Sequence, residues 1–406
     1  MTDAVIVSTA RSPIGRAFKG SLKDVRPDDL SAQMVKAALD KIGLDGNDVD
    51  DLHWGCAEPS HRHGSNMARV IAVLAGYDRL PGTTVNRFCA SSVQTTRMAY
   101  HAIKAGEGDI FVSGGVECVS QYTTFAGAGG VPEEDMNPVF ADARSRSEEM
   151  ARTNERWTDP REQGLLPDVY LAMGQTAENV ATMRGMDRAR MDEWGVRSQN
   201  RAEAAIASGF FEREITPVTL ADGTVVSTDD GPRAGVTLEK VAGLKPVFRE
   251  DGVVTAGNCC ALNDGAAALV VMSDTKAKEL GLTPLARVVA TGVSALSPEI
   301  MGMGPVEATR NALANAKMSI GDLDLYEINE AFAAQVLPSA DELGMDLDKL
   351  NVHGGAIALG HPFGMTGARI TTTLLNAMVE KDAQYGMESM CVGGGQGMAM
   401  ILERLS

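Results

Sequence analysis

Cys89 lies in the segment of the chain that best suits nucleophilic chemistry. The β-branched run Thr83–Asn86 predicts a short strand, and apolar residues recur at helical spacing from Ala90 until Gly106. Cys89 therefore occupies a turn from strand to helix, where unpaired backbone N–H groups and the helix dipole face the thiol. We expect this setting to lower the thiol pKa and favour the nucleophilic thiolate. A buried structural cysteine is the alternative interpretation.

A histidine near the C-terminus is a candidate base for this cysteine. His361 precedes Pro362, which favours an extended, loop-like geometry over a helical one. The surrounding stretch 351–369 contains five glycines, which let the backbone come close to a bulky group. We interpret His361 as the residue that deprotonates Cys89, with a structural loop histidine as the alternative.

Two more polar side chains follow predicted strands in the C-terminal third of the chain. Asn329 and Glu330 fall at a strand end, where an amide could hold a water or a carbonyl group; a helix N-cap is the alternative. Cys391 lies at the end of another strand and is followed within four residues by three glycines. Its thiol could move a proton to or from carbon, and a buried strand cysteine is the alternative.

Composition limits the classes of function. The chain has 406 residues and a formal net charge of −17, which argues against nucleic acids and anionic membranes as partners. No apolar run approaches the ~20 residues of a membrane span, and no signal peptide is recognisable. The six cysteines show no paired zinc spacing. We therefore expect a cytoplasmic protein whose cysteines remain thiols.

The elements that must position these residues follow one plan twice. Residues 30–58 read as an amphipathic helix, an acidic turn and a strand, and residues 305–332 repeat that order. Residues 109–117 and 389–397 each run from an apolar strand into glycines, and each follows a predicted helix. Alternating strands and helices predict βαβ units in mostly parallel sheets. The segment between the halves is polar over 131–168 and predicts a long surface excursion without regular structure.

Four motifs together resemble the active-site set of the thiolase family, in the family's order. They are NRFCASS around Cys89, NEAFA from Asn329, GGAIALGHPFGMTGAR around His361 and CVGGGQG from Cys391. Further matches are ARSPIGRAFKGSL, GSNMARVIAVLAG, MGQTAENVA and TAGNCCALNDGAAA, so the resemblance covers essentially the whole chain.

The resemblance implies an α/β thiolase fold. This fold has two duplicated βαβαβ-type halves with mixed, mostly parallel sheets in a layered α/β/α/β/α core, plus an inserted loop domain. We expect the N-terminal half at residues 1–120 with 251–274, the insert at 121–250 and the C-terminal half at 275–406. The family also implies a homodimer or homotetramer, with CoA as co-substrate and no other cofactor.

The resemblance also implies a role for each candidate residue. Cys89 is the nucleophile that takes up the acyl group, and His361 deprotonates it and helps form an oxyanion hole for the substrate thioester. Asn329 holds a water in that hole, and Cys391 is the acid and base at C2 of the acetyl unit. The backbone amides of Cys89 and Gly393 form a second oxyanion hole. The implied reaction is cleavage of 3-ketoacyl-CoA by CoA to acyl-CoA and acetyl-CoA.

Three positions depart from the best-known biosynthetic pattern of the family. Ala172 stands where that pattern has a histidine, which favours degradative thiolysis of longer chains over acetoacetyl-CoA synthesis. Cys260 replaces a serine that contacts pantetheine, and Lys240 replaces a small residue lining the CoA site. The resemblance makes four residues candidates for CoA contact: Met173, Arg233, Lys240 and Cys260.

Several other functions stay open as alternatives. A biosynthetic acetoacetyl-CoA thiolase is one, and a non-catalytic CoA- or lipid-binding homologue is another, although such homologues usually lose part of NEAFA or GHP. Cys391 argues against a ketoacyl synthase. A metal site formed by Cys56 and the histidines at 61 and 63 is a further alternative, but two loop histidines beside Arg62 favour solvated surface. We therefore expect no metal.

Overall fold

Most strands of the protein belong to one main sheet with two similar halves, and two short strands form a separate sheet. The computed structural model describes residues 2–122, 131 and 133–406. Its strands are β1 Ala4–Arg11, β2 Gly15–Arg16, β3 Asp51–Gly55, β4 Gly82–Val85, β5 Ile110–Cys118, β6 Val218–Thr219, β7 Val225–Val226, β8 Asn263–Ser273, β9 Ala286–Ala295, β10 Leu325–Ile328, β11 Tyr385–Val392 and β12 Gln396–Arg404.

The helices alternate with these strands in both halves. They are α1 Pro27–Asp40, α2 Met67–Leu74, α3 Ser91–Ala105, α4 Ala141–Thr153, α5 Met173–Arg184, α6 Arg188–Ala207, α7 Leu238–Ala242, α8 Asp274–Glu279, α9 Gly304–Ala316, α10 Ala333–Leu343, α11 Ala356–Leu359 and α12 Thr366–Glu380. The repeated helix, turn and strand predicted at 30–58 and 305–332 is confirmed as α1 with β3 and α9 with β10.

The two halves of the main sheet are duplicates in topology. The first half has the order β4-β3-β5-β8-β1, and the second has β10-β11-β12-β9. A parallel bridge between Tyr326 and Leu350 stands in the second half where β4 stands in the first. The halves meet where β1 and β9 pair antiparallel over Val5–Arg287 and Ile6–Ala286. The predicted duplication is therefore confirmed by the strand order.

Each half is a mixed sheet. Parallel pairing joins β3 to β4 and β5 in the first half, and β10 to β11 in the second. The remaining neighbours, β5 with β8, β8 with β1, β11 with β12 and β12 with β9, are antiparallel. The parallel strands of each half carry their carboxyl ends to one edge of the sheet, and these ends hold Cys391 and Asn329.

Three apolar clusters give the protein the predicted order of layers. A central cluster contains residues of α3 and α12 together with inward-facing residues from strands of both halves. A second cluster packs α1 and α2 on the outer face of the first half-sheet. A third packs α9 and α10 on the outer face of the second. The sequence of layers is therefore α/β/α/β/α, as expected from the family resemblance.

The segment between the halves contains more regular structure than predicted. Residues 141–153 form the helix α4, where the sequence indicated an irregular excursion. Only Ala143 of this helix is buried, so its sequence carries no apolar periodicity that could reveal it. Residues 123–130 and 132 of the predicted insert lie outside the described residues. The boundaries of the three predicted parts remain a prediction.

Candidate active site

Cys89 lies in the strand-to-helix turn that the sequence predicted. After β4 the chain makes a 3₁₀ turn over Phe88–Ala90 and enters α3. Phe88 has a φ of 45°, a left-handed conformation that costs a non-glycine residue energy and is frequent at functional sites. Ser91 Oγ secures the turn, because it accepts from Arg87 N–H (2.9 Å) and donates to Phe88 O (2.7 Å).

Burial raises the pKa of the Cys89 thiol to about 12. The amides of Cys89 and Gly393 oppose this shift because they donate toward the sulfur. The expectation that the helix terminus would lower the pKa of this thiol is therefore wrong for the free protein. The free-energy cost of removing the thiolate charge from water is larger here than the stabilisation that two backbone N–H groups provide. The geometry nevertheless brings both amides of the predicted oxyanion hole to the nucleophile.

The hydrogen bonds of His361 define the tautomer of its ring. Its ring Nδ1 lies 2.7 Å from Thr366 Oγ1, and its Nε2 lies 3.2 Å from Asn329 Nδ2. Because the Thr366 hydroxyl donates to Pro362 O (2.7 Å), Nδ1 must carry the ring proton. Nε2 is then free of hydrogen and accepts from the Asn329 amide. Burial, aided by the charge of Arg369, lowers the pKa of His361 to about 3.

Asn263, which the sequence analysis did not single out, anchors the histidine loop. Its Oδ1 accepts the His361 backbone N–H at 3.0 Å, and its Nδ2 donates to Gly15 O at 3.0 Å. Gly360 has a φ of 111°, and a Cβ there would lie 2.6 Å from Asn263 Cγ. A glycine before His361 is therefore required by both its conformation and its contact.

Asn329 follows the last residue of β10 and points its amide at the histidine. Its backbone N–H donates to Ser389 O at 2.9 Å, which ties it to the neighbouring strand β11. Its Oδ1 is buried and has no hydrogen-bond partner among the described residues. Helix α10 begins later, at Ala333, with Phe332 as its N-cap. The N-cap alternative for Asn329 is therefore wrong, and its carbonyl remains available to a water or a ligand.

Cys391 and Gly393 complete the site from the second half of the sheet. Cys391 is fully buried near the end of β11. Burial, with a smaller effect from Cys89, raises the pKa of its thiol well above the usual range. A Cβ on Gly393 would lie 3.1 Å from Phe88 Cγ, so the glycine turn packs directly on the nucleophile turn. This contact brings the two cysteines together although 302 positions separate them in the sequence (391 − 89).

Two buried carboxylates, whose roles sequence reasoning missed, hold the loops around the site. Glu330 accepts from Ser198 Oγ (2.6 Å), Asn351 Nδ2 (2.9 Å) and Trp194 Nε1 (3.1 Å), and so joins NEAFA to α6. Glu117, at the end of β5, accepts from Gly364 N–H at 2.9 Å and thus fixes the GHPFG loop. The sequence signal for both was an acidic residue beside a strand end, which did not distinguish a scaffold role from a catalytic one.

A cavity of about 170 Å³ lies beside the histidine loop, since Gly360 and Asn263 belong to its lining. It is lined by Arg16, Gln199, Gly231, Arg233, Val236, Val241, Leu244, Ala256, Gly257, Cys259, Cys260, Ala261, Asn263, Ile357, Ala358 and Gly360. Burial raises the pKa of Cys260 well above the usual range, and the adjacent thiols Cys259, Cys89 and Cys391 add to the shift. Cys260 therefore connects the cavity to the two catalytic candidates.

The four candidates for CoA contact are placed differently. Arg233 and Cys260 line the cavity. Met173, like Cys260, packs against the apolar cluster of the second half-sheet. Lys240 lies on the short helix α7, exposed, and its Nζ donates to Gly235 O at 2.9 Å. Neither Lys240 nor Met173 belongs to the lining of the cavity, although Val241, the neighbour of Lys240, does.

The histidines at 61 and 63 do not behave as the solvated pair that the sequence favoured. His61 and Arg62 are exposed, but His63 is buried and its Nε2 accepts from Cys118 N–H at 3.1 Å. Cys56 Sγ lies instead 3.5 Å from Glu117 Oε1. Among the residues that the structure describes, no three histidine, cysteine, aspartate or glutamate side chains form a metal-binding group. In that same part of the chain, no helix has the length and apolarity needed to cross a membrane.

Comparison with known proteins agrees with this geometry. Residues 4–275 match the model of the thiolase N-terminal domain, and residues 282–404 match that of the thiolase C-terminal domain. The chain is 43% identical to a 3-ketoacyl-CoA thiolase of Aeromonas hydrophila, with 100% of both chains covered. It is also 43% identical to an acetyl-CoA acetyltransferase of Cupriavidus necator, again over 100% of both.

Solved structures agree in fold as well as in sequence. The acetyl-CoA acetyltransferase of Bacillus anthracis has a TM-score of 0.86 at 39% identity, with 100% of this chain and 99% of that chain covered. Human mitochondrial 3-ketoacyl-CoA thiolase has a TM-score of 0.86 at 35% identity with the same coverage, 100% and 99%. The fold, the catalytic geometry and these full-length matches together establish that the chain belongs to the thiolase family.

Proposed function

We propose that this protein is an acyltransferase that cleaves 3-ketoacyl-CoA with CoA, producing an acyl-CoA shortened by an acetyl unit and acetyl-CoA. The observation that carries the proposal is that the backbone amides of Cys89 and Gly393 and the thiol of Cys391 all interact with the buried Cys89 thiol. We propose that the hydrogen-bonded His361–Asn329 pair faces the same thiol. A retro-Claisen cleavage needs a soft nucleophile, stabilised oxyanions and a proton donor for carbon. No cofactor beyond the co-substrate CoA is required.

In the first half-reaction His361 Nε2 takes the proton of Cys89, and the sulfur attacks the C3 carbonyl carbon. The amides of Cys89 and Gly393 stabilise the resulting oxyanion. The C2–C3 bond then breaks, its electron pair remains on C2 as the acetyl-CoA enolate, and Cys391 donates a proton to C2. The enolate oxygen is stabilised by protonated His361 Nε2 and by a water held at Asn329.

In the second half-reaction CoA regenerates the enzyme. Cys391, now a thiolate, takes the proton of the CoA thiol, and the CoA sulfur attacks the acyl group on Cys89. The tetrahedral oxyanion returns to the amides of Cys89 and Gly393, and the Cys89 sulfur leaves. The proton held by His361 returns to Cys89, so both cysteines and the histidine finish in their starting states.

The proposed physiological direction is degradative, as in fatty acid β-oxidation. Ala172 is the N-cap residue of α5, and Met173, the first residue of that helix, packs against the same apolar cluster as Cys260. A methyl group here, in place of the histidine of the biosynthetic pattern, supports substrates longer than acetoacetyl-CoA. The cytoplasm is the proposed compartment, because a reducing environment keeps Cys89 and Cys391 as separate thiols.

The proposed assembly is a homodimer or homotetramer. Strand β4 ends the sheet and pairs on one side only, with β3, so its other edge is open in the described chain. This edge lies directly before the nucleophile turn, where Phe88 is 44% exposed. An open edge beside an exposed aromatic is suited to a second copy. Light scattering that gave a stable species of 42.9 kDa across micromolar concentrations would contradict an oligomer.

The activity is tested with the purified full-length protein, CoA and 3-ketoacyl-CoAs from acetoacetyl-CoA to long-chain members. Loss of the 3-ketoacyl-CoA and formation of acetyl-CoA are followed by chromatography, with Cys89→Ser as the control. We expect cleavage by the wild type only, with kcat/KM rising beyond the four-carbon substrate. Preference for acetoacetyl-CoA would favour the biosynthetic alternative, and no cleavage of any member would favour a non-catalytic homologue.

A further inference from the structure

Two arginines line the cavity beside the catalytic residues, and no carboxylate does so among the described residues. The remaining lining is apolar or uncharged, including Val236, Val241 and Leu244. The chain as a whole carries 54 acidic and 37 basic side chains, so a cavity wall with two cations and no acid departs from the general surface. Arg16 was not among the sequence-based candidates for substrate contact, whereas Arg233 was.

Neither guanidinium is paired with a protein group. In the described part of the chain, the guanidinium groups of Arg16 and Arg233 donate no hydrogen bond and form no ion pair, whereas the backbone of each residue is hydrogen-bonded. Arg11, five residues before Arg16, shows the opposite behaviour, since it is bound by both Glu214 and Asp229. The structural arginine of this segment, Arg11, is thus paired with carboxylates, whereas the guanidinium of Arg16 is not.

The acid nearest to Arg16 in the hydrogen-bond network is already occupied. Asp230 Oδ2 accepts from the backbone N–H of Arg16 (3.0 Å), and from Ser21 N–H (2.7 Å) and Ser21 Oγ (3.1 Å). These bonds fix the backbone of Arg16 and leave its guanidinium unpaired. A guanidinium held by its backbone but unpaired at its tip offers five N–H donors to a ligand.

The backbone of Arg16 is joined to the histidine loop through one residue. In β2, Arg16 pairs with Asn263, whose Oδ1 accepts the His361 backbone N–H at 3.0 Å. Arg16 is half-buried, whereas Arg233 is exposed and its backbone is held by Gln199 of α6 at 2.9 Å. The two arginines of the cavity lining therefore differ in burial and in the elements that hold them.

We propose that Arg16 is a substrate-binding residue whose guanidinium pairs with an oxyanion group of the acyl-CoA, separately from Arg233. The proposal rests on the proposed thiolytic function for its substrate class. Two parts of such a substrate supply oxyanions: the phosphates of the CoA nucleotide, and a carboxylate at the far end of a dicarboxylic acyl chain. Both are planar or tetrahedral oxyanions that a guanidinium binds through paired hydrogen bonds.

The test compares wild type with Arg16→Gln and Arg16→Lys on three matched substrates: a neutral 3-ketoacyl-CoA, its ω-carboxy counterpart of equal length, and the neutral 3-ketoacyl pantetheine thioester, which lacks the nucleotide. For a substrate that carries the bound oxyanion, we expect Arg16→Gln to raise KM about tenfold and to keep kcat within about twofold of wild type. The reason is that the substitution removes a charge-assisted contact present in both the ground state and the transition state. Arg16→Lys should recover part of the loss. Arg213→Gln, on an exposed arginine outside the cavity, is the matched control and should leave KM unchanged.

The three substrates distinguish the source of the oxyanion. A rise in KM for both CoA thioesters but not for the pantetheine thioester assigns Arg16 to the nucleotide phosphates. A rise for the ω-carboxy substrate alone assigns it to an acyl carboxylate. Equal effects on all three substrates, or none on any, overturn the proposal.

Binding of CoA and of ω-carboxyacyl-CoA measured by calorimetry keeps the test independent of turnover. If wild type binds these ligands and Arg16→Gln weakens one of them about tenfold while no substrate is cleaved, the binding role stands and the proposed activity fails. If wild type cleaves 3-ketoacyl-CoA and no Arg16→Gln binding or KM changes, the binding role fails and the activity stands. Unchanged thermal unfolding of Arg16→Gln is expected, because its guanidinium makes no hydrogen bond or ion pair in the described chain.

Discussion

The side-chain Nδ2 of Asn329 lies 3.2 Å from Nε2 of His361, and the Oδ1 of the same amide is buried without a partner in the described chain. The Asn329 amide thus donates to His361, the proposed base, while its carbonyl oxygen is left for a water or a ligand. An alanine at this position would leave the base without its orienting hydrogen bond and the water without its anchor.

Asn329→Ala should lower kcat/KM for thiolysis by about 10²–10³-fold, the range typical for losing one oxyanion-stabilising group. Asn329→Asp should also be impaired, but with a distinct pH profile. A carboxylate beside the ring favours the imidazolium, so the pKa of His361 should rise from its depressed value and the acid limb of the rate profile should move to higher pH. Identical pH profiles for wild type and Asn329→Asp would contradict this contact.

Cys89→Ser or Cys89→Ala should abolish thiolysis and acyl-enzyme formation without unfolding the protein. A hydroxyl at this buried turn ionises far less than a thiol, and alanine has no nucleophile. Intact-protein mass spectrometry after addition of an acyl-CoA should show an acyl adduct on the wild type only. An adduct that persists on another cysteine of Cys89→Ala would reject the assignment.

Cys391→Ala should separate the two halves of the reaction. The variant should still be acylated by a simple acyl-CoA, because His361 still activates Cys89 and the departing CoA thiolate can take its proton from solvent. It should lose at least ~10²–10⁴-fold in cleavage of 3-ketoacyl-CoA and should no longer exchange C2 protons of acetyl-CoA with solvent deuterium. Cleavage within a few-fold of wild type would make Cys391 a packing residue and direct attention to His361 as the proton donor.

The free enzyme should lack a preformed thiolate–imidazolium pair. With burial holding the pKa of Cys89 at about 12 and that of His361 at about 3, thiol and imidazole are both neutral between these values. Alkylation of Cys89 by iodoacetamide should therefore accelerate about tenfold for each unit of pH through the neutral and mildly alkaline range, since only the thiolate reacts. A plateau already reached at neutral pH would show that the thiolate is formed without substrate.

Arg11→Met should destabilise the protein by about 3–5 kcal/mol, because Glu214 and Asp229 would lose the cation that both of them bind. Urea unfolding of the intact protein measures the loss. Arg190→Met, which removes an exposed pair with Asp341, is the matched control and should cost less than about 1 kcal/mol. Equal losses in the two variants would mean that the buried network adds nothing beyond a surface pair.

The predictions from the sequence were most accurate for features that a local residue pattern and local chemistry both indicate. The turn at Cys89 is bounded by a β-branched strand and a periodic helix that ends at Gly106, and the structure has helix α3 at Ser91–Ala105 as expected. The loop before α12 and the strand end at Cys391 were likewise predictable from their proline and glycine residues. These features depend on neighbours in the chain, which a sequence displays directly.

Properties that depend on contacts between residues far apart in the sequence could not be predicted from it. The raised pKa of Cys89 follows from burial between two halves of the sheet, and the local helix dipole indicated the opposite direction. His63 is buried because Cys118 and its surroundings lie over it, although its own neighbours are polar. The sequence also did not show that the guanidinium of Arg16 has no hydrogen-bond or ion-pair partner in the described chain, because the acid bonded to its backbone, Asp230, lies 214 positions away.

The antiparallel pairing of β1 with β9 joins strands that hold equivalent places in the two halves. An approximate twofold axis therefore passes between them, and the scaffold is pseudosymmetric about it. The chemistry does not share this symmetry, since Cys89 comes from one half whereas Asn329, His361 and Cys391 come from the other. Substitutions at equivalent core positions of the two halves should therefore change the stability of the fold by similar amounts. Where such a pair of positions borders the reacting thiols, only the substitution on the side of the thiols should change turnover.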